Sequence, residues 1–528
     1  MADLIILNAK VWTGPGRPTA EAIAVSGDRI SAVDATAAVR RLATAKTRVI
    51  DAAGRLVVPG FIDAHVHLMD GGFSLRLVSL RASTSEEQMA AMLRDHVAAL
   101  ARGKWVTGGG WDHESWPSHQ LPTRQLIDPV TPANPVLVRR VDGHMSLANS
   151  LALKQAGIDR RTPDPPGGKI YRDDRGEPTG ILVDSAQYPV ARLIPGMSET
   201  SGLDALRAGM SHAATLGLTS VHASAVLAEF RLMQRLRKDG DLPIRIYALI
   251  GFDDPDHMRG LASQMIPNDP FLRARGVKML ADGSLGASSA LLFEPYSDNP
   301  KSSGLAIHRE DDLYETVRQA DAAGLQVALH AIGDKAVHWV LNAFERAAAA
   351  NGRRDARHRI EHSQTVRPDD RPRYARLGVV ASIQPSHAID DMRWAEKRLG
   401  HRISYAYPFR SLLEAGARVA LGTDWPIEPL DPMLGLYAAV TREATTGGPA
   451  GGWCPAEKVT MEQALEAYTL GPAYAEFQET VKGTIQPGRL ADMVVLSKDL
   501  LTIPPREILQ TRADVTLVGG RVVFERTP

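Results

Sequence analysis

Short apolar runs alternate with longer amphipathic segments through the middle of the chain. Seven of these runs have the length and β-branched content of buried strands, and they lie at residues 218–224, 244–250, 276–282, 326–332, 358–364, 379–385 and 418–424. The apolar stretch LVVPGFIDAHVH precedes them and supplies an eighth strand candidate. Helix-like segments such as DDLYETVRQADAAG separate most of the strands. Alternation of helices with eight strands predicts an α/β protein built on a (β/α)8 TIM barrel.

Both ends of the chain show short β-rich runs broken by Gly and Asp turns. DLIILNAKVWTG and AIAVSGDRISAVD lie near the start, and VTLVGGRVVFER near the end contains a Gly-Gly hairpin signal. We expect residues 1–57 and 475–528 to form one small β-sandwich, and residues 58–474 to form the barrel. The segment 70–215 breaks the strand–helix rhythm with Pro- and Gly-rich stretches. We expect it to be an insertion that folds as its own lobe over the barrel mouth.

Composition and charge narrow the classes of function. The chain has 528 residues with 61 Lys+Arg and 61 Asp+Glu, and this balance gives no sign of binding to nucleic acid or to an anionic membrane surface. The single cysteine, Cys454, excludes an internal disulfide framework and a multi-cysteine metal site. The first apolar run is too short for a signal peptide, and no stretch approaches the ~20 apolar residues of a membrane span. We expect a cytoplasmic protein, with a homodimer left open.

Polar residues stand at the carboxyl-terminal ends of the predicted strands, which is the face where barrel enzymes build their active sites. These residues are His65, His67, Lys278, His330, His362 and Asp424. His65 and His67 are two positions apart on one strand, so both point to the same side. Neutral imidazole and carboxylate suit Zn²⁺, or a related divalent ion such as Mn²⁺, Fe²⁺ or Ni²⁺. The pattern predicts a centre of one or two metal ions.

Each of these residues also has an ordinary explanation. A single His in a strand is more often a hydrogen-bonded polar residue than a ligand, so the prediction depends on the conjunction of all the positions. Lys278 cannot bind a cation as an ammonium and is costly to bury. It either becomes a bridging carboxylate through carbamylation by CO₂, which is our expectation, or it is a structural or substrate-binding lysine paired with Asp282.

Asp424, in the stretch ALGTDWPIEP, is predicted to ligate the metal and to act as the general base. A bound metal lowers the pKa of its water towards ~7. A carboxylate within hydrogen-bond reach is then suited to take the proton. The alternative is that Asp424 caps the next helix, but the Trp-Pro pair that follows directly disfavours a cap.

Eight motifs together resemble those of the amidohydrolase superfamily, in particular its YtcJ-like branch (amidohydrolase 3), which includes N-substituted formamide deformylases. The motifs are PGFIDAHVHL, GGGWD, GHMSLANSLAL, ADGSLGASSALLFEPY, HAIGDKAV, RIEHSQ, SIQPSHA and LGTDWPIEPLDP. The resemblance implies α-metal ligands at His65 and His67, a carboxylated bridging lysine at Lys278, β-metal ligands at His330 and His362, and a ligand that doubles as base at Asp424. The serines of GASSA replace the Ser-Arg-Thr expected after DGSLG, a departure that bears on substrate specificity rather than on hydrolysis.

Further residues are predicted to contact the substrate. Trp111, Asp112 and His144 lie in the insertion; His144 is also a candidate for polarising the substrate carbonyl, with an ordinary loop hydrogen bond as the alternative. The remaining candidates follow strand ends and are Asp282, Gln384, His387 and Trp425.

The predicted reaction is metal-dependent hydrolysis of an amide-type, non-peptide C–N bond in a small molecule. Hydrolysis of a lactone, carbamate, ester or phosphoester at the same site is the alternative within enzymes. A metal-free scaffold that keeps the barrel as an interaction platform is the alternative outside them.

Overall fold

Eight parallel strands form the largest sheet of the protein. The computed structural model describes residues 1–140, 145–166, 168–196, 198–251 and 258–527. The eight strands are Phe61–Val66, Leu218–Ala225, Arg245–Gly251, Leu272–Leu280, Gln326–Ala331, Arg359–His362, Val380–Ile383 and Arg418–Leu421. Each strand pairs with the next in chain order. The first and eighth meet just beyond their ends, where Val66 and Trp425 form an isolated parallel bridge. The predicted α/β class and its eight parallel strands are confirmed.

Four of the strands end at least two residues earlier than the apolar pattern predicted, and the fourth barrel strand stops at Leu280 instead of residue 282. The sixth, seventh and eighth stop at His362, Ile383 and Leu421. In the sixth, His362 has φ 76 and Ser363 has φ 45; after the eighth, Asp424 has φ 62. A residue with a left-handed backbone conformation cannot continue a strand. Backbone strain of this kind is commonly retained at functional sites.

Helices occupy the segments between and after the barrel strands. Their bounds are Leu68–Ser74, Glu199–Thr215, Leu227–Lys238, Met258–Ala262, Glu310–Ala322, Asp334–Asn351, Arg371–Leu377, Pro385–Asp391, Ala395–Leu399, Phe409–Glu414, Pro432–Thr441, Met461–Ala467 and Leu470–Ala475. Helix Asp334–Asn351 shows how the sequence specifies them, because Val337, Val340, Leu341 and Phe344 recur at helical spacing and are all buried.

Two further sheets are built from the ends of the chain. The four-stranded sheet has the order Arg29–Asp34, Ala22–Ser26, Leu4–Leu7, Arg48–Asp51, and the five-stranded sheet the order Lys10–Val11, Leu56–Pro59, Met493–Leu496, Ala513–Val518, Arg521–Glu525. A short helix, Thr36–Arg40, follows the Arg29–Asp34 strand. Buried residues of both sheets, including Ile6, Ile23, Val495 and Leu517, form one hydrophobic cluster. Both chain ends therefore contribute to a common core.

Residues Gly72–Gly202 form a compact unit distinct from Met1–Gly71 with Leu203–Pro528. Its six-stranded sheet has the order Gly168–Arg172, Pro178–Asp184, Met145–Ala148, Val136–Arg140, Val106–Trp111, Val78–Ser79. Its helices are Glu86–Ala98, Arg124–Ile127, Ser150–Gln155 and Tyr188–Ala191.

The insertion unit ends at Gly202, thirteen residues before the boundary of 215 that the sequence pattern predicted. The reason lies in helix Glu199–Thr215, most of which belongs with the barrel. A Cβ on Gly209 would lie 3.0 Å from the Leu68 carbonyl oxygen and 3.4 Å from the Trp425 ring, so the helix passes tightly against these two residues.

No helix within the described part of the chain has both the length and the apolar character needed to cross a membrane. The cytoplasmic location and the homodimer remain predictions.

Candidate metal centre

The first barrel strand carries two imidazoles at its carboxyl end. The His65 side chain is buried, whereas that of His67 is 37% exposed. Asp63 braces this end of the strand, because its Oδ1 accepts the backbone N–H groups of His65 and Thr423 at 3.0 Å and its Oδ2 accepts the Thr423 hydroxyl at 2.6 Å. Burial raises the pKa of Asp63 to about 6, although these hydrogen bonds lower it. The first and eighth strands are thereby tied together beside His65.

Backbone hydrogen bonds across the seam between the first and eighth strands place Asp424 against both histidines. The Asp424 N–H donates to the His65 carbonyl at 2.7 Å, and the His67 N–H donates to the Trp425 carbonyl at 2.8 Å. The Asp424 Oδ1 atom consequently lies 3.4 Å from His65 Nε2 and 3.3 Å from His67 Nε2. The left-handed backbone of Asp424 turns its carboxylate towards the interior, and its pKa lies well below the ordinary value because the two histidines outweigh burial.

The atoms that converge here lack hydrogen-bond partners. Among the described residues, His65 Nε2, His387 Nε2 and Asp424 Oδ1 are buried without one. One donor atom from each of His65, His67 and Asp424 lies within 4.8 Å of the others, and the same holds for His362, His387 and Asp424. Buried polar atoms are normally satisfied. Imidazole nitrogens and a carboxylate left bare around one point fit a divalent cation.

Two more histidines, His330 and His362, enter the same cluster with their tautomers fixed. Their ring centroids are 4.4 Å apart, and that of His362 is 5.1 Å from the His65 ring. The Gln384 Oε1 atom accepts from His362 Nδ1 at 2.8 Å, and the Gly283 carbonyl accepts from His330 Nε2 at 2.9 Å. Since these oxygens only accept, the opposite nitrogens, His362 Nε2 and His330 Nδ1, are left unprotonated and able to bind a metal.

Burial also keeps these two imidazoles neutral. Burial, together with the charge of Lys278, lowers the pKa of His330 to about 4. It likewise holds the pKa of His362 well below the ordinary value. A neutral imidazole is the form that binds metals.

Lys278 is buried at the end of the fourth strand without a described partner for its ammonium group. Burial lowers its pKa, as Arg359 does, whereas Glu361 and Asp424 raise it. Lys278 and Asp282 do not form an ion pair: the Asp282 carboxylate instead accepts the backbone N–H groups of Leu291, Ile332 and Gly333 at 2.8–3.0 Å. The alternative that paired these two residues is therefore not seen. Asp282 anchors the loops after the fourth and fifth strands, and burial raises its pKa to about 7.

The remaining candidates after the strand ends have different surroundings. His387 Nε2 lies 3.8 Å from Asp424 Oδ2, and its Nδ1 lies 3.2 Å from Gln364 Nε2. Trp425 packs inward, with its ring 5.8 Å from that of His212. Gln384 contacts the candidate metal ligand His362. Substrate contacts for all of these residues stay predictions.

Two of the three insertion candidates have described surroundings. Trp111 is fully buried in the hydrophobic core of its own unit, and its indole N–H donates to the Val138 carbonyl at 3.0 Å. Asp112 accepts from the Arg140 guanidinium at 2.7 Å. His144 lies outside the described residues. Their predicted roles in substrate binding and, for His144, in catalysis remain untested.

Sequence reasoning missed Arg359 and Glu361, which lie beside the centre inside the barrel. Glu361 Oε2 lies 2.7 Å from His65 Nδ1, and Arg359 Nε donates to Glu361 Oε1 at 2.8 Å. Glu361 raises the pKa of His65 against the opposing effect of burial. The signal was present in RIEH, where two charged residues alternate in a strand whose residues are all buried.

A parallel barrel that gathers imidazoles and a carboxylate at the carboxyl ends of its strands has the architecture of a barrel enzyme with a candidate metal centre. The amidohydrolase family profile matches residues 48–524, and the chain therefore belongs to the amidohydrolase family. This membership makes it a hydrolase.

Individual relatives agree with this assignment. The chain is 33% identical to the putative amidohydrolase YtcJ of Bacillus subtilis (strain 168), over 91% of each chain. It is 30% identical to N-substituted formamide deformylase of Arthrobacter pascens, over 100% of this chain and 99% of that protein. The crystal structure of an uncharacterized metal-dependent hydrolase from Pyrococcus furiosus matches with a TM-score of 0.75 and 30% identity, over 94% of this chain and 100% of that one. The predicted resemblance to the YtcJ-like branch is confirmed.

Proposed function

We propose that this protein hydrolyses an amide-type, non-peptide C–N bond of a small molecule with the help of a bound divalent cation, Zn²⁺ being the first choice. The observation that carries the proposal is the convergence of His65 Nε2, His67 Nε2 and Asp424 Oδ1, of which the first and last are buried without hydrogen-bond partners. Removing such atoms from water without a partner is costly. A cation between them removes that cost.

The donor atoms would serve one or two cations. His65, His67 and Asp424 would hold the first. His362 Nε2 and His330 Nδ1 would hold the second, with Lys278 bridging once carbamylated. A buried lysine that lacks a described partner supports that modification, because carbamate oxygens would bind cations that the ammonium repels. When bound, such a metal polarises the scissile carbonyl and lowers the pKa of water towards ~7.

Asp424 would act as the general base and then as the proton donor. The hydrogen bond from its backbone N–H to the His65 carbonyl holds Asp424 in place, with its carboxylate beside His65 and His67, where it would take a proton from attacking water. It would then pass that proton to the leaving nitrogen. His387 Nε2, which lacks a hydrogen-bond partner and lies 3.8 Å from Asp424 Oδ2, would contact the substrate beside the base. The roles of Trp111, Asp112 and His144 belong to the same proposal.

Similarity to relatives, more than the centre itself, supports the proposed substrate class. The similarity to N-substituted formamide deformylase extends over nearly the full length of both chains, which supports a formamide or another small amide. A panel of N-substituted formamides, larger amides, carbamates, lactones and esters tests the bond type. Turnover of lactones or esters with none of the amides would overturn the amide assignment.

The base is tested by the Asp424→Asn variant. We expect kcat to fall by about 10²–10⁴-fold, as for loss of a general base, while metal analysis shows part of the metal retained. Asp431→Asn is the matched control, because Asp431 follows in the same loop and caps helix Pro432–Thr441 through the Met433 N–H. Asn caps helices as well as Asp does, so this variant should keep wild-type turnover. Near wild-type kcat in Asp424→Asn with its metal intact would show that another group is the base.

A further inference from the structure

A buried ionic chain runs through the interior of the barrel and ends on a candidate metal ligand. Arg359 and Glu361 are two positions apart on the sixth strand, so both point inward, and both are completely buried. The Arg359 guanidinium also donates to the Ala64 carbonyl and lies 2.7 Å from His222 Nδ1. His222 Nε2 is in turn 3.4 Å from the Glu476 carboxylate. Charged groups are costly to bury, and proteins retain them where they are paired or have a function.

Glu361 determines which nitrogen of His65 carries the proton. The Arg359 guanidinium donates to both oxygens of Glu361, at 2.8 Å and 3.2 Å, which is the pairing of an ionised carboxylate. An ionised carboxylate only accepts hydrogen bonds. The 2.7 Å contact with Glu361 Oε2 therefore requires the proton on His65 Nδ1. The other ring nitrogen, His65 Nε2, faces Asp424 and keeps its lone pair free.

Arg359 in turn fixes the carboxylate. Its Nε donates to Oε1 at 2.8 Å and one terminal nitrogen to Oε2 at 3.2 Å, the two-point geometry that orients a carboxylate plane. The same terminal nitrogen donates to the Ala64 carbonyl at 2.7 Å, on the strand that bears His65. The contact to His65 thus has a rigid support on two strands.

We propose that Glu361, oriented by Arg359, is a positioning residue that fixes the tautomer and direction of His65 for binding a divalent cation. The inference rests on the proposed function only in requiring that a cation binds. Partners of this kind on a ligating imidazole typically change metal affinity by 10–100-fold.

The test measures the affinity of purified protein for Zn²⁺ by competition with a chromophoric chelator, and the absorption spectrum of the Co²⁺-loaded protein. The variants are Glu361→Gln, which keeps an oxygen acceptor, and Glu361→Ala, which has none. Asp492→Asn is the matched control, because Asp492 is a buried carboxylate held by Arg245 at 2.7 and 2.9 Å with no contact to His65. Thermal unfolding of the metal-free proteins reports the structural effect of each change.

We expect Glu361→Ala to lose 10–100-fold in Zn²⁺ affinity with an altered Co²⁺ spectrum, and Glu361→Gln to recover part of both. Asp492→Asn should lose stability but keep its affinity and spectrum. Wild-type Zn²⁺ affinity in both Glu361 variants would overturn the proposal. So would a loss of Zn²⁺ affinity in Asp492→Asn in proportion to its loss of stability, because affinity would then follow stability alone. Failure of the wild-type protein to bind Zn²⁺ or Co²⁺ would overturn it together with the proposed function. Metal binding without turnover of any amide would overturn the proposed function but not the role of Glu361.

Discussion

Removing Arg359 should destabilise the barrel strongly, because it would leave a buried carboxylate without its cation. Arg359 makes five contacts inside the barrel: two to Glu361, and one each to His222, Ala64 and Ser382. At the 2.8 Å separation of Arg359 Nε and Glu361 Oε1, an effective dielectric constant of about 20 gives a Coulomb attraction of about 6 kcal/mol. Desolvation of both ions offsets much of that attraction. Breaking such a pair by removing one partner typically costs about 3–5 kcal/mol.

The assay is thermal unfolding of the metal-free protein, so that any effect on His65 as a ligand does not enter. Arg359→Met should lower the unfolding temperature of the barrel by roughly 4–6 °C. The double variant Arg359→Met, Glu361→Gln should recover much of that loss, because it removes the unpaired charge as well. Arg410→Met is the control, since Arg410 pairs with Glu414 where both side chains are more than half exposed. Pairs of that kind are worth less than about 1 kcal/mol.

A loss in Arg359→Met no larger than that in Arg410→Met would refute the reasoning, since it would mean that the pair contributes no more than a surface ion pair. A double variant less stable than the single one would also refute it. That result would mean that Glu361 is stabilised by something other than Arg359.

The fold was predictable because its signals are local and repeated. Eight apolar runs separated by amphipathic segments define the strands. Placing the polar residues found at several strand ends needs only the rule that parallel barrels put these ends on one face. His65, His67 and Asp424 converge in the structure as that rule predicted. What makes them converge is a seam of backbone hydrogen bonds between the first and eighth strands, and no sequence pattern encodes that pairing.

The supporting residues could not be assigned from the sequence for a related reason. Glu361 and His65 are 296 positions apart, and their contact depends on the barrel being closed. The RIEH stretch shows that two charges lie in a buried strand, but it does not say what they meet. His387 was expected to face the substrate; only its bare Nε2 beside Asp424 shows that it also borders the metal centre. Tautomers depend on such contacts and are a property of the folded state.

Two further predictions concern backbone space and pH. A Cβ on Gly422 would lie 2.6 Å from both Asp63 Oδ1 and the His65 backbone nitrogen. Gly422→Ala should therefore break the seam between the first and eighth strands and abolish metal binding. A folded variant that metal analysis shows to hold the wild-type metal content would contradict this. Asp321 is buried among His358, Asn351 and Arg354, whose hydrogen bonds and charge outweigh burial and lower its pKa to about 2. Because the folded-state pKa lies below the ordinary 3.8, Asp321 stabilises the fold above about pH 4, and that contribution is lost as the pH falls towards 2. Asp321→Asn should therefore be less stable than wild type at pH 7, and its stability should approach that of wild type in the acid range. If the difference in unfolding free energy stays constant from pH 7 to about pH 2, the carboxylate charge is not what stabilises this region.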